Sequence, residues 1–220
     1  MLVHTADVAQ EVRHAGRFGV RAKWAGADWP AIRDRVFGRF DPLHERAVTC
    51  GHVRTDGTYQ TNVPGIWALG DLANHFQLKH MANAETRLVR YNLLHPGHPQ
   101  QAAFTVVPSA VFAGPQVASV GATEQELQAQ GHDYAAATRP YRHAAYGWAL
   151  EDTTSFVKVL ADPASRLLLR GHIIGPQAST LIQPLIQAMC LGNTADQVAS
   201  GVLYIHPALT EVVEQALLEL

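Results

Sequence analysis

Ser155-Phe156-Val157-Lys158-Val159-Leu160-Ala161-Asp162-Pro163-Ala164-Ser165-Arg166-Leu167-Leu168-Leu169-Arg170-Gly171-His172-Ile173-Ile174 decides the fold class. Residues 154–160 and 167–174 are rich in β-branched and large apolar side chains, and Asp162-Pro163-Ala164-Ser165 between them has turn chemistry. A connection this short joins antiparallel strands, because a parallel pair needs a crossover of a dozen residues or more. The stretch therefore predicts a hairpin. Outward from it, Tyr134–Tyr141 reads as a strand and Val106–Phe112 as a β-type stretch. Thr123-Glu124-Gln125-Glu126 starts a helix with a capping threonine. Pro176–Leu191 reads as one long apolar helix, Thr194–Ala199 as a short one, and Ala208–Leu218 as the last. Together residues 102–220 predict a compact α+β unit, an antiparallel sheet with helices.

The first hundred residues read differently. Apolar residues Val3, Ala6, Val8, Val12 and Ala15 return at helical spacing over residues 3–14. Asp28-Trp29-Pro30 opens a second helix, Ala31–Phe40, which Asp41-Pro42 stops. Residues 44–62 are polar, with Asp56-Gly57 as a hairpin turn. Val63-Pro64-Gly65-Ile66-Trp67-Ala68-Leu69-Gly70-Asp71 predicts a buried strand delivering a carboxylate at its C-terminal edge. That edge is where open α/β sheets bind ligands. Leu78–Leu94 reads as a helix ending at His95-Pro96-Gly97, and Pro96–Gln101 as a linker between domains.

Composition narrows the function classes. Hydrophobic residues are 47% and charged residues 16% of the 220, which is globular material. A formal charge of −2 provides no footprint for nucleic acid or an anionic membrane. Apolar runs are short and broken, so no transmembrane helix is expected, and Met1-Leu2-Val3-His4-Thr5 does not read as a secretory leader. Cys50 and Cys190 are too few for a disulfide framework or a zinc site, and a reducing cytoplasm is expected. Twelve histidines raise the question of a metal. His75 with His80 and His95 with His98 lack metal-ligand spacing beside a carboxylate, so no metal is expected. Cys190 reads as a small buried hydrophobe.

The chain's end carries the sharpest chemical signal. In Ile205-His206-Pro207-Ala208-Leu209-Thr210-Glu211 a proline suited to opening a helix follows a histidine, and a carboxylate comes in the first turn. That spacing places Glu211 close enough to orient one ring nitrogen of His206 and leave the other for proton transfer.

Several stretches, taken in order, resemble the pyridine nucleotide–disulfide oxidoreductases. They are Ala68-Leu69-Gly70-Asp71, Pro108-Ser109-Ala110-Val111-Phe112, Val117-Ala118-Ser119-Val120-Gly121-Ala122-Thr123-Glu124, Gly171-His172-Ile173-Ile174-Gly175, and His206-Pro207 with Glu211. Gln77-Leu78-Lys79-His80-Met81-Ala82-Asn83, Gly175–Pro184 and His206–Leu209 are most similar to the mycothione reductase branch. The resemblance makes residues 102–220 the dimerisation domain and residues 51–101 the last piece of an α/β FAD-binding domain. Residues 1–50 then resemble another remnant of that domain, the helices after the redox-active disulfide.

Such enzymes pass hydride from NADPH to FAD and on to a dithiol that reduces a disulfide, here of a low-molecular-weight thiol. The resemblance implies that His206 is the acid/base and Glu211 its partner, serving the dithiol of the other subunit in a homodimer. It implies that Gly70, Asp71, Leu78, Lys79, His80 and Pro207 touch FAD: Asp71 at the ribityl hydroxyls, and the helix start after Leu78 at the flavin's pyrimidine edge. Lys79 and His80 stand where the family commonly has Thr and Pro. The sequence holds no Cys-x-x-x-x-Cys, no Gly-x-Gly-x-x-Gly loop and no nicotinamide-binding βαβ domain. The expectation is a piece of a reductase, inactive alone. A non-enzymatic dimerisation module is the alternative.

Overall fold

The computed structural model describes residues 12–18, 20–21, 28, 30–31 and 52–220. The helices expected over 3–14 and 31–40 fall largely outside the described residues. The chain divides into two compact units, one holding Gly26–Thr105 and the other Met1–Ala25 together with Val106–Leu220.

The second unit is built on five strands: β1 Pro108–Val111, β2 Val117–Val120, β3 Ala135–Pro140, β4 Phe156–Ala161 and β5 Leu168–Ile174. All pairings are antiparallel, in the order β1-β2-β5-β4-β3. The β4–β5 hairpin closes as its turn chemistry demands. Asp162 Oδ1 accepts from the N–H groups of Ala164 at 3.1 Å and Ser165 at 2.6 Å, and Arg166 takes a left-handed φ of 62°. Alternation then sorts the side chains. Val120, Val157, Val159 and Ile173 are fully buried on one face. On the other face Ser109, Ser119, His172, Lys158 and Thr138 stand in register as one polar row across the strands.

From residue 52 onward the described α-helices are α1 Lys79–Leu94, α2 Glu124–Ala129, α3 Ala145–Ala149, α4 Ala178–Leu181, α5 Gln183–Leu191, α6 Ala195–Ser200 and α7 Thr210–Leu218. α4 packs on β2 and β5, α5 on β5, and α7 on β3 and β4. Leu181, Ile182, Leu185, Val212, Val213 and Leu217 meet the buried strand residues in one apolar core. The helix α2 has the expected capping box: Thr123 accepts from Glu126 N–H while the Glu126 carboxylate reaches back. Thr194 and Gln197 make the same motif at α6.

Four expectations are corrected. The apolar run 176–191 is two helices, because Pro184 has no N–H to donate to Thr180 and α4 stops at Leu181. Pro207 does not open the final helix. The peptide His206–Pro207 is cis and α7 begins at Thr210. Val63–Asp71 forms no strand. Among the described residues only an isolated bridge joins Gln60 to Trp67, Val63 and Ile66 are exposed, and Gly70–Leu72 is a 3-10 turn. Cys190, read as buried, is exposed. Within the first unit Tyr59, Leu88 and Val89 form a small cluster with Trp67 and Leu69 packed against it.

Candidate functional site

The geometry around His206 begins with α7. Val212, Val213, Ala216 and Leu217 bury one face of this helix completely, which fixes where its first turn projects. Glu211, in that turn, reaches back over the preceding loop. Its Oε1 lies 2.8 Å from His206 Nδ1, and its Oε2 accepts from Ala208 N–H at 3.1 Å. The hydrogen bond from His206, and next the Ala208 N–H, hold the Glu211 carboxyl below its ordinary range. A carboxylate only accepts, so Nδ1 is the donating nitrogen and Nε2 is left for proton exchange. The imidazole is open to solvent, 68% exposed, whereas Glu211 is 14% exposed. The apolar residues just ahead of it are exposed as well: Val202, Leu203 and Ile205, with Leu203 wholly so.

The residues expected to touch FAD lie in the first unit. Gly70 is buried at a φ of 69°, where a side chain would be strained, and it turns the chain so that the next residue, Asp71, is exposed. Leu78 is half-buried at the N-cap of α1 in extended conformation, and no side chain caps that helix end. Lys79 and His80 are exposed in its first turn, and Lys79 Nζ donates to Asn83 Oδ1. The uncapped N-terminus of a sixteen-residue helix offers N–H groups and a positive dipole end to an acceptor-rich ring edge. An exposed carboxylate after a tight glycine turn suits hydroxyl groups. These residues fit part of a flavin, and the sequence carries no glycine loop for its pyrophosphate. Pro207 belongs to the second unit, beside His206.

Glu85 is the residue that the sequence reading missed. It is fully buried on the inner face of α1, in line with Met81, Leu88, Val89 and Asn92. Its Oε2 accepts from Gly70 N–H at 2.5 Å, and its Oε1 from Asn74 Nδ2 at 2.6 Å and Tyr59 O–H at 3.1 Å. Burial, then the charge and hydrogen bond of Glu85, push the Tyr59 hydroxyl up to about 12. The signal was available: a carboxylate at an inward position of an amphipathic helix needs donors brought to it.

A half-buried histidine stands on the polar face of the sheet. His172 Nε2 is buried and has no hydrogen-bond partner. Burial, with Lys158 next in effect, lowers this ring's pKa below its ordinary 6.5. Lys158 in turn pairs with Glu124 at the start of α2. Among the described residues no three His, Cys, Asp or Glu side chains gather as a metal site.

The sequence model of the pyridine nucleotide-disulphide oxidoreductase dimerisation domain matches residues 107–217, half of the chain. A mycothione reductase of Mycobacterium tuberculosis (strain ATCC 25618 / H37Rv) is 48% identical over 174 residues, covering 77% of this chain and 38% of that protein. A dihydrolipoyl dehydrogenase of Halobacterium salinarum is 34% identical over 166 residues, covering 76% of this chain and 34% of its own length. Among solved structures, LpdA from Mycobacterium tuberculosis aligns with a TM-score of 0.69 at 23% identity, covering 80% of this chain and 38% of that one. The HOCl-induced flavoprotein disulfide reductase RclA from Escherichia coli aligns with a TM-score of 0.70 at 22% identity, covering 78% and 39%. The chain thus spans under two fifths of the length of these relatives, and the structural likeness extends across the antiparallel sheet and its helices.

Proposed function

Since this chain belongs to the pyridine nucleotide-disulphide oxidoreductase family through its dimerisation domain, we propose that it supplies the C-terminal part of a mycothione reductase-like enzyme. Such an enzyme is a flavin-dependent, NADPH-linked reductase of a low-molecular-weight thiol disulfide, working in the cytoplasm as a homodimer. In this reading residues 102–220 are the dimerisation domain, and residues 1–50 and 51–101 are parts of the flavin domain. The observation that carries it is the His206–Glu211 pair, with Nδ1 held at 2.8 Å and the ring exposed.

The chemistry follows from that geometry. Reducing a disulfide releases a thiolate that must be protonated, and regenerating the attacking thiolate requires a proton to leave. A histidine can take up and release a proton at one ring nitrogen while a carboxylate on the other nitrogen fixes the ring and its tautomer. His206 would move the proton at Nε2, and Glu211 would hold the tautomer. FAD would supply the two-electron transfer between NADPH and the dithiol. Asp71 would bind its ribityl hydroxyls, with Gly70 setting the turn and Pro207 fixing the segment beside His206. The start of α1, Leu78-Lys79-His80, would face the ring edge. The only cysteines of this sequence, Cys50 and Cys190, do not make the dithiol, so the proton pair acts on a dithiol carried elsewhere.

Val202, Leu203 and Ile205 favour the companion role of a dimerisation surface, because a run this exposed and apolar next to a functional histidine needs a partner. The test is complementation. A full-length mycothione reductase whose matching histidine is replaced by alanine is mixed with this chain. Mixed dimers that regain NADPH-dependent turnover, and fail to with His206→Ala, support the reading. Mixed dimers seen by mass that stay inactive defeat it.

A further inference from the structure

Resting on the flavin reading above, we infer that Glu85 is the positioning residue for both segments that face the cofactor, acting through Asn74. The two segments are the Gly70-Asp71 turn and the start of α1 after Leu78. They are separated by a loop, and one buried side-chain network ties them together. Glu85 takes Gly70 N–H on one oxygen and Asn74 Nδ2 on the other. The Asn74 amide extends that link in both directions. Its Nδ2 also donates to Gly70 carbonyl at 3.0 Å, while its Oδ1 accepts from Phe76 N–H at 2.9 Å and Gln77 N–H at 3.3 Å. Gln77, the residue before Leu78, sits at a left-handed φ of 53°, an uncommon conformation that these bonds hold in place.

The arrangement exceeds what folding α1 requires. A leucine at position 85 would continue the apolar line of Met81, Leu88 and Val89 without needing any donor. The carboxylate instead draws three donors from the loop and the turn, none of them on α1. Gly70 also approaches α1 closely: a Cβ there would lie 3.4 Å from Ala82 Cβ. The consequence is that Asp71 and the uncapped end of α1 are held at a fixed separation before any ligand arrives, the condition under which a polar site binds without paying for its own ordering.

Glutamine separates this role from mere packing. It is nearly isosteric, but its single amide must turn an NH2 either toward Gly70 N–H or toward Asn74 Nδ2, so one donor loses its acceptor. The experiment is amide hydrogen exchange, read by 1H–15N correlation spectra of the full chain, on wild type, Glu85→Gln, Tyr59→Phe and Asn74→Ala. Losing a hydrogen bond to a charged acceptor predicts that either the Gly70 amide, or the Phe76 and Gln77 amides together, exchange about 10- to 100-fold faster in Glu85→Gln. Val157 and Ile173 in the sheet serve as the unaffected reference. Tyr59→Phe removes only the third donor and leaves Gly70 protected.

If Glu85→Gln unfolds the first unit, Asn74→Ala carries the test, with Phe76 and Gln77 accelerated and Gly70 retained. Unchanged exchange at all three of these amides in folded Glu85→Gln, or at Phe76 and Gln77 in Asn74→Ala, overturns the inference. So does a Tyr59→Phe variant that behaves like Glu85→Gln. FAD titrated into the wild type separates the two levels of argument. Shifts at Gly70, Asp71 and Lys79 that weaken in Glu85→Gln support both. No shift between Gly70 and His80 ends the flavin reading, while the exchange result still decides whether Glu85 holds the loop.

Discussion

Gly171 and Leu185 form a pair whose coupling is set by the geometry between β5 and α5. Gly171 stands between Val120 on β2 and Val159 on β4, facing the core. Its backbone is ordinary, so an alanine there is tested by space alone. The added Cβ would lie 2.7 Å from Leu185 Cδ1 and 3.4 Å from Val120 Cγ1. The first distance is well inside contact, and Leu185 is fully buried. Overpacking of this kind costs about 1–3 kcal/mol. Leu185→Ala alone leaves a cavity and costs about 2–5 kcal/mol. In the double variant the new methyl projects into the space that Leu185 vacated. The two losses therefore fall short of additivity by about 1–2 kcal/mol, within the range for directly contacting residues. The assay is urea unfolding of the four proteins at one fixed concentration, followed by far-UV circular dichroism. Additivity to within about 0.5 kcal/mol would refute the argument. It would mean that strand β5 shifts as a whole to admit the methyl, and that Leu185 is not what excludes it.

Two further outcomes follow from the second unit. His172 titrates below its ordinary value because it is buried beside Lys158, so the folded state binds this proton less readily than the unfolded chain. Stability is then full above about pH 6.5 and falls as the pH drops toward the lowered folded value. The urea midpoint of the wild type should decline more between pH 7 and 5 than that of His172→Gln, and parallel curves would reject the assignment. On the proposed dimer, replacing the wholly exposed Leu203 by Asp should halve the molar mass measured by light scattering at micromolar concentration while leaving circular dichroism unchanged. An unaltered mass would remove this residue from the interface.

Much of the second unit was legible because its signals are local. The Asp162 turn, the Thr123 capping box and the alternation Val157-Lys158-Val159 each act within a few residues, and the structure forms all three. The His206–Glu211 contact was equally local, although Pro207 lies in the approach to α7 and not inside it. β2 escaped as an element because Val117-Ala118-Ser119-Val120 is too short to show a period. It is defined by β1 and β5 on either side. Val63–Leu69 misled for the opposite reason. It has the residues of a strand, but a strand is completed by neighbours, and a single bridge forms here among the described residues. The inward position of Glu85 could be read from helical spacing, but its donors could not, because they come from the turn and loop of residues 59–74 and spacing marks a face without saying what lies against it.

The strand order β1-β2-β5-β4-β3 also has a consequence in time. β5 is the central strand, and it is the last of the five along the chain. Val120 must wait for Gly171 before β2 gains its inner neighbour, and α7, which backs β3 and β4, comes later still. At ribosomal speeds of about 5–20 residues per second, that leaves β2 with β1 alone for several seconds. β4 and β5 meet across a six-residue turn and need no such delay. A growing chain should therefore nucleate on the hairpin and recruit β2 and β3 from either side of it. Until Gly171 and its neighbours leave the ribosome, the early strands are the part of this domain most open to capture by another chain.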